Sequence, residues 1–240
     1  LLPVFPKLSI EYEGKFKELD GSHRVGAEWS IKLKADPLIG ITAKIEILEK
    51  DHGYNPQKAN VLKVQRHVLF SRTGKYFVLY DELATRTPST FHWQWHVLQP
   101  TVANVTTSGF RYSASDRAGR NITNHVFHAS SGLAFDNLTG ANVLKNPHTG
   151  ATFTDAGDPY RRAHALWYRN SAQATNFTFL SVIVPQEPGK AAPSFTRIDN
   201  NTVVVTYDGV TETNTFGLNY TNAFTYRVEL AGERRQLDVP

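Results

Sequence analysis

Polar and apolar residues alternate along much of this chain with a period of two. Val68, Phe70, Tyr76, Val78 and Tyr80 are β-branched or aromatic residues at such positions, a pattern that predicts half-buried strands rather than helix. Trp29, Ile31 and Leu33 share one face of another segment with Ser30, Lys32 and Lys34 opposite, and Ile41, Ala43, Ile45 and Ile47 form a third apolar row. Strands are expected at about 8–13, 27–34, 41–48, 61–70, 75–82, 91–98, 107–113, 124–130, 164–169, 176–184, 202–208 and 223–230. Turn-forming pairs separate many of them: Asp20-Gly21, Asp36-Pro37, Asn55-Pro56 and Asp208-Gly209. No long amphipathic helix is visible. Many short strands punctuated by Gly, Pro and Asn predict an all-β chain, a two-sheet antiparallel β-sandwich of the supersandwich type, with residues 1–240 in one domain.

The densest patterning lies between Arg66 and His96. It predicts a strand, a tight turn at Thr73-Gly74, a second strand ending on Asp81-Glu82, a polar loop, and a third, aromatic strand. Alternation in His92-Trp93-Gln94-Trp95-His96 puts both histidines and Gln94 on one face and both tryptophans on the other. A polar face backed by paired indoles can hold an oriented polar ligand, and an ordinary sandwich core has the same pattern. Residues 132–160, rich in Gly, Asn, Asp and Thr, are expected to form a long loop of the kind that tends to carry function. Residues 185–193 read as a connector between strands.

Composition narrows the classes. Hydrophobic content of 40% with 20% charged residues is that of a globular rather than a disordered chain, and no apolar run approaches the length that crosses a bilayer. The absence of cysteine excludes disulfides, thiolate catalysis and cysteine-type zinc sites. The absence of methionine points to a processed or excised piece of a larger protein. A net charge of +4 favours acidic partners, but the Lys and Arg residues are scattered without a basic run, so a polyanionic glycan suits the chain better than nucleic acid. Asn-x-Thr sequons occur at Asn104, Asn121, Asn137, Asn176, Asn200 and Asn219; they mark surface sites in a eukaryotic secreted protein and carry no meaning in an Asn- and Thr-rich bacterial one. The expectation is an exported protein, secreted or periplasmic.

Candidate chemistry is sparse. His92 and His96 are four residues apart in a strand, about 13 Å between Cα atoms, too far to share one metal ion. Asp51-His52-Gly53-Tyr54-Asn55-Pro56 offers a base and a phenol in one loop, so His52 and Tyr54 join His92 and His96 as acid–base candidates, with a plain turn as the alternative. His125 and His128 fall on opposite faces of a strand, which argues against a paired role. Arg66 and Asp81 lie on neighbouring strands, either as an ion pair or in separate solvent contacts. Tyr160, Arg161 and Arg162 end the long loop, and two guanidinium groups beside a phenol suit carboxylate or sulfate recognition. Trp93 and Trp95 would stack on sugar rings if exposed beside a groove and would be scaffold if buried. There is no phosphate loop, nucleophile elbow, zinc helix or EF-hand loop.

The order Arg66-x-Val-Leu-Phe, short turn, Tyr76-Phe-Val-Leu-Tyr-Asp-Glu-Leu, loop, Phe91-His-Trp-x-x-His96 resembles the C-terminal β-sandwich of heparinase II/III-like polysaccharide lyases, a group that includes exo-acting alginate lyases. His164-Ala-Leu-Trp-Tyr-Arg-Asn and the strand at Asn176–Pro185 are similar to a later strand pair of the same domain, so the likeness spans about 45–185. The resemblance implies β-elimination on a uronate-containing polysaccharide: a base removes the C5 proton, the neighbouring carboxylate is neutralised, and an acid protonates the departing oxygen. It implies an N-terminal α/α-toroid as partner domain, supplying most of those groups. It also implies a histidine from the sandwich and a structural zinc or calcium ion. The family's early His-x-His motif and later His-Asn-Thr element are missing, so no catalytic residue is carried over. The expected role is one wall of the substrate cleft, with Arg66, Trp93, Trp95, Tyr160, Arg161 and Arg162 as substrate contacts. The alternatives are a non-catalytic carbohydrate-binding or structural β-domain, and a self-sufficient lyase or hydrolase.

Overall fold

The computed structural model describes residues 7–12, 15–18, 27–36, 40–49, 61–98, 101–115, 119–139, 163–219, 223–230 and 232–239. Within them the chain is all-β and antiparallel, as the alternation predicts. The strands are β1 (Lys7–Tyr12), β2 (Lys15–Glu18), β3 (Ala27–Asp36), β4 (Gly40–Glu49), β5 (Val61–Ser71), β6 (Tyr76–Leu98), β7 (Thr101–Thr106), β8 (Gly109–Ser115) and β9 (Asn121–His128). They continue as β10 (Leu133–Thr139), β11 (Ala163–Asn170), β12 (Ala174–Gln186), β13 (Ser194–Arg197), β14 (Thr202–Tyr207), β15 (Val210–Asn219), β16 (Ala223–Leu230) and β17 (Glu233–Val239).

Two hydrogen-bonded sheets result. The smaller runs β13-β14-β15-β16-β17, and the larger has the path β3-β4-β5-β6-β12-β9-β8-β7 with β1, β2, β10 and β11 joined to it through β6. The reason is the length of β6, 23 residues. Its first half pairs with β5 and β12, its second with β1 and β11. The segment expected as a polar loop before the aromatic strand is therefore continuous strand. Arg86, Thr87 and Pro88 are the exposed crossing point. There Thr85 Oγ1 and Ser89 Oγ both donate to the Thr87 carbonyl, at 2.8 and 2.9 Å. Asn170 fixes the far side, accepting from Phe91 N at 2.6 Å and donating to the Ser89 carbonyl at 3.1 Å. Side-chain hydrogen bonds thus replace the missing ladder, and β-branched threonines keep the backbone extended.

The fold-back places a core on each face of the β5-β6-β12 layer. On one face Leu69, Tyr76, Val78, Leu180, Val182 and Val184 meet Val203, Val205, Tyr207 and Phe216 of the small sheet. On the other, Val64, Val68, Leu79, Leu83, Phe179 and Ile183 meet Phe91, Trp93, Trp95, Leu166 and Tyr168. Each fully buried side chain of this size contributes about 1.5–3 kcal/mol.

Local chemistry explains the turns. Asp208 and Gly209 take φ of 51° and 79° between the paired Tyr207 and Val210, a two-residue hairpin loop that needs left-handed residues. Pro185 sits in β12, but it pairs only with Asn124 of β9 after the partnership with β6 ends at Ile183, so no ladder bond is lost. The β5–β6 turn is pinned to the small sheet. Ser71 Oγ donates to Glu212 Oε2 at 2.7 Å, the Tyr76 hydroxyl donates to the same oxygen, and Asn214 Nδ2 donates to that hydroxyl at 2.8 Å. A Cβ on Gly74 would stand 2.1 Å from the Tyr76 ring, which this network holds in place. Gly74→Ala is therefore expected to destabilise the protein by roughly 2–4 kcal/mol in urea unfolding.

Residues 132–160 are only partly as expected: Leu133–Thr139 is a strand, paired with β11 from Leu133↔Asn170 to Thr139↔His164. Residues 140–162 lie outside the described residues.

Candidate functional site

Strand alternation separates two charged clusters across the β5-β6-β12 layer. Arg66 pairs across with Asp81 on the face that holds Val64 and Val68. Its Nε donates to Oδ1 at 2.5 Å and its Nη2 to Oδ2 at 2.8 Å, with the Asp81 side chain wholly buried. Of the two relations open to Arg66 and Asp81, the structure has the ion pair.

The opposite face carries Lys63, His67 and Glu82. Lys63 Nζ lies 2.8 Å from Glu82 Oε1, and His67 Nε2 lies 3.1 Å from Oε2. Burial pushes the Glu82 carboxyl up, but the hydrogen bonds from His67 and Lys63 and their charges outweigh it and hold the group below its ordinary range. Burial, with the nearby Glu82 charge, pushes the Tyr80 phenol up; its hydroxyl donates to Asn201 Oδ1 at 3.2 Å, and its ring stacks on Phe216.

This face is covered by the small sheet at its apolar end and left open at its polar end. The opening is a groove of about 440 Å³ lined by Lys63, Glu82, Ser130, Ser131, Asn176, Phe177, Thr178 and Asn200. Asn176 and Thr178 come from β12, opposite Ala84 and Glu82 of β6. Asn200 is held in the β13–β14 turn, where its Oδ1 accepts from Arg197 Nη2 at 2.7 Å and from Ser131 Oγ at 2.8 Å. Amides, hydroxyls and one ammonium suit sugar hydroxyls and an isolated acidic group; the Phe177 ring itself points to the other face, onto Phe91 and Phe179. Both Glu82 oxygens are already occupied and His67 is buried beneath them, so the groove is a binding surface rather than a proton-transfer site.

The sequence candidates fall elsewhere. Trp93 and Trp95 are buried and stack on each other with ring centroids 5.7 Å apart. Burial places both on the scaffold side of the two roles open to them, because a sugar ring cannot reach an enclosed indole. His92 and Gln94 occupy the other face, as alternation predicts, but are buried too; the His92 ring meets Trp167 edge-on at 6.3 Å. His96, in β6, pairs with Ala165 of β11, and its side chain lies outside the described residues. His52, Tyr54, Tyr160, Arg161 and Arg162 also lie outside them. Sequence reasoning passed over Lys63, His67, Glu82 and the groove asparagines. The alternation of Lys63, Gln65 and His67 opposite Glu82 could have put the first three on one face.

His125 and His128 do face opposite ways. His125 Nε2 meets Gln186 Oε1 at 2.7 Å, whereas His128 Nδ1 meets Ser181 Oγ at 2.9 Å inside the core, against Trp93 and Tyr168. Burial pushes the His128 imidazole down to about 3 from its ordinary 6.5. The unfolded chain binds this proton below about 6.5 and the folded chain only below about 3. Stability is complete above 6.5 and falls with pH between those values, by up to about 1.4 kcal/mol per pH unit. Urea unfolding at a series of pH values should show this slope, and His128→Gln should flatten it.

The family resemblance leaves room for a structural zinc or calcium ion, although the motifs that carry its ligands are missing from this sequence. Among the described residues no three His, Asp or Glu side chains converge to hold one.

An antiparallel β-sandwich with a polar groove beside its smaller sheet is the class of the molecule. Residues 14–214 match the family described as heparinase II/III-like, C-terminal, and the chain belongs to that family. No curated protein matches it. Among solved structures it is similar to a mutant of the heparan sulfate lyase HepC from Pedobacter heparinus, at 14% identity and a TM-score of 0.51, covering 89% of this chain and 28% of that one. The unmutated HepC structure gives 14% identity and a TM-score of 0.50, with the same coverage of 89% and 28%. A heparinase III structure gives 17% identity and a TM-score of 0.46, covering 96% of this chain and 29% of that one. The chain thus spans little more than a quarter of the length of these proteins. At such identities the HepC likeness speaks for the fold alone.

Proposed function

We propose that this chain is the β-sandwich module of an exported polysaccharide lyase that cleaves an acidic, uronate-containing glycan by β-elimination, and that its groove forms part of one wall of the substrate cleft. The observation that carries the reading is the groove. It is lined by Lys63, Asn176, Thr178, Ser131 and Asn200, groups that bind sugar hydroxyls and a carboxylate. The base and acid of the elimination would come from a partner domain, an N-terminal α/α-toroid. That division of labour agrees with a groove whose carboxylate is already paired. The buried Trp93 and Trp95 favour a second reading, a structural module without a sugar-binding role.

The test uses the full-length protein that contains this chain, mixed with alginate, heparin, chondroitin or hyaluronan while absorbance of the unsaturated uronate product is followed. Activity on one of them is expected. The double variant Lys63→Ala, Asn200→Ala should raise KM roughly tenfold, about 1.4 kcal/mol of lost binding, with kcat little changed. An unchanged KM in a folded variant would favour the structural reading, and no activity on any of the four would remove the lyase assignment for these glycans.

A further inference from the structure

The sequons divide the asparagines of this protein by exposure. Asn104, Asn121, Asn137, Asn176 and Asn200, the five sequon residues with described side chains, are all exposed. The described asparagines outside sequons differ: Asn170 and Asn214 are buried, and Asn124 and Asn201 are half-buried, while Asn55, Asn60, Asn142, Asn146 and Asn222 lie outside the described residues.

Three of the five stand clear of the groove, with an amide nitrogen that donates to no described residue. Asn104 lies in β7, the edge strand of the larger sheet's main path, at a register shift between Ala103 and Thr106 and with φ of 54°. Asn137 lies in β10, which pairs only with β11 among the described strands. Asn121 opens β9, at the last pair of the β8–β9 hairpin, and uses only its oxygen, accepting from Ser115 Oγ at 3.0 Å. The groove pair differ. Asn176 Nδ2 donates to Thr175 Oγ1, and Asn200 Oδ1 is tied to Arg197 and Ser131.

We propose that Asn104, Asn121 and Asn137 are asparagine-linked glycosylation sites of this protein. The Nδ2 of each would form a bond to C1 of the first sugar of a lipid-linked oligosaccharide diphosphate. The bond from C1 to the diphosphate oxygen breaks, the lipid diphosphate leaves with the bonding pair, and the amide gives up one proton. Each sequon has the required threonine two residues on: Thr106, Thr123 and Thr139. The placement has a physical use. Edge strands present unpaired backbone groups that template association with other strands, and a bulky hydrophilic glycan on β7 and on β10 blocks such an approach.

The decisive measurement is made on the protein recovered from the organism that produces it. It is digested with a peptide-N-glycosidase in heavy-oxygen water, and the peptides are read by mass spectrometry. Heavy-labelled aspartate at positions 104, 121 and 137 is expected. Unmodified asparagine at two or more of these positions overturns the proposal. Label at Asn176 or Asn200 as well would extend the modification into the groove. That result counts against the groove as a substrate surface while supporting glycosylation, so the two ideas fail separately.

Discussion

Asp81→Ala is expected to lower the stability of this protein by about 3–5 kcal/mol, read as a shift of the urea midpoint with little change in slope. The cause is the buried cation that loses its bidentate carboxylate. Arg66 is held between Val64 and Val68, its guanidinium clamped by both Asp81 oxygens, and the Asp81 side chain has no exposure at all. Removing the carboxylate leaves a desolvated positive charge facing Phe179, the β12 residue opposite Asp81. Removing both charges is a different experiment. Arg66→Met with Asp81→Leu replaces the pair by apolar side chains of similar volume, and most of the loss should be recovered, since a buried pair is weakly stabilising against a well-packed apolar substitute. If the single variant cost less than about 1 kcal/mol, the pair would have to be solvated in solution, unlike the geometry here.

Trp93→Ala is the second large effect, again about 3–5 kcal/mol. Trp93 is the keystone of the layer where the second half of β6 meets β9 and β11: it stacks on Trp95, meets His128 edge-on at 4.5 Å, and meets Tyr168 at 6.1 Å. Its indole nitrogen donates to no described residue, so the loss is one of volume and dispersion rather than of a hydrogen bond. Trp93→Phe should therefore cost much less, roughly 1–2 kcal/mol. A Phe variant as damaging as the Ala variant would mean that the indole N–H has a partner. The near-ultraviolet circular dichroism of the Trp93–Trp95 pair should collapse in both variants, which separates local repacking from global loss.

Much of the strand pattern was legible because alternation is a local property. β11, β12 and β14 lie where apolar or aromatic residues recur at every second position. The misses all depend on tertiary contacts, each in its own way. β15 reads Val-Thr-Glu-Thr-Asn-Thr-Phe, with polar residues at the inward positions Glu212 and Asn214. Those positions are tolerated only because Ser71 and Tyr76, well over 100 residues away in sequence, satisfy them. β10 hides in a Gly- and Asn-rich stretch because among the described strands it pairs only with β11, and one backbone partner is enough to hold it. The polar loop expected inside β6 is the same kind of error. Thr85, Thr87 and Ser89 look like loop residues until their hydroxyls and Asn170 stand in for the ladder.

The site was less legible than the fold. Lys63, His67 and Glu82 are ordinary polar residues of strands, and nothing local marks them as a cluster. Their meeting depends on the register of β5 with β6, and the groove above them depends on where the small sheet stops. Asn200 reaches the groove only through the β13–β14 turn.

By itself, then, the sequence determined the all-β class, the resemblance to the lyase sandwich, and the sorting of side chains to opposite faces, such as Trp93 and Trp95 against His92 and Gln94. A period of two carries that information directly, since successive residues of a strand must point opposite ways. Only the tertiary structure decided what covers each face. It buried both sides of the His92–Trp95 stretch, turned Arg66 from a candidate ligand contact into half of an internal ion pair, and left the Lys63–Glu82 end of the sheet open. The physical reason is that exposure is a property of packed layers, fixed by contacts between strands far apart in the chain, and no local pattern encodes it.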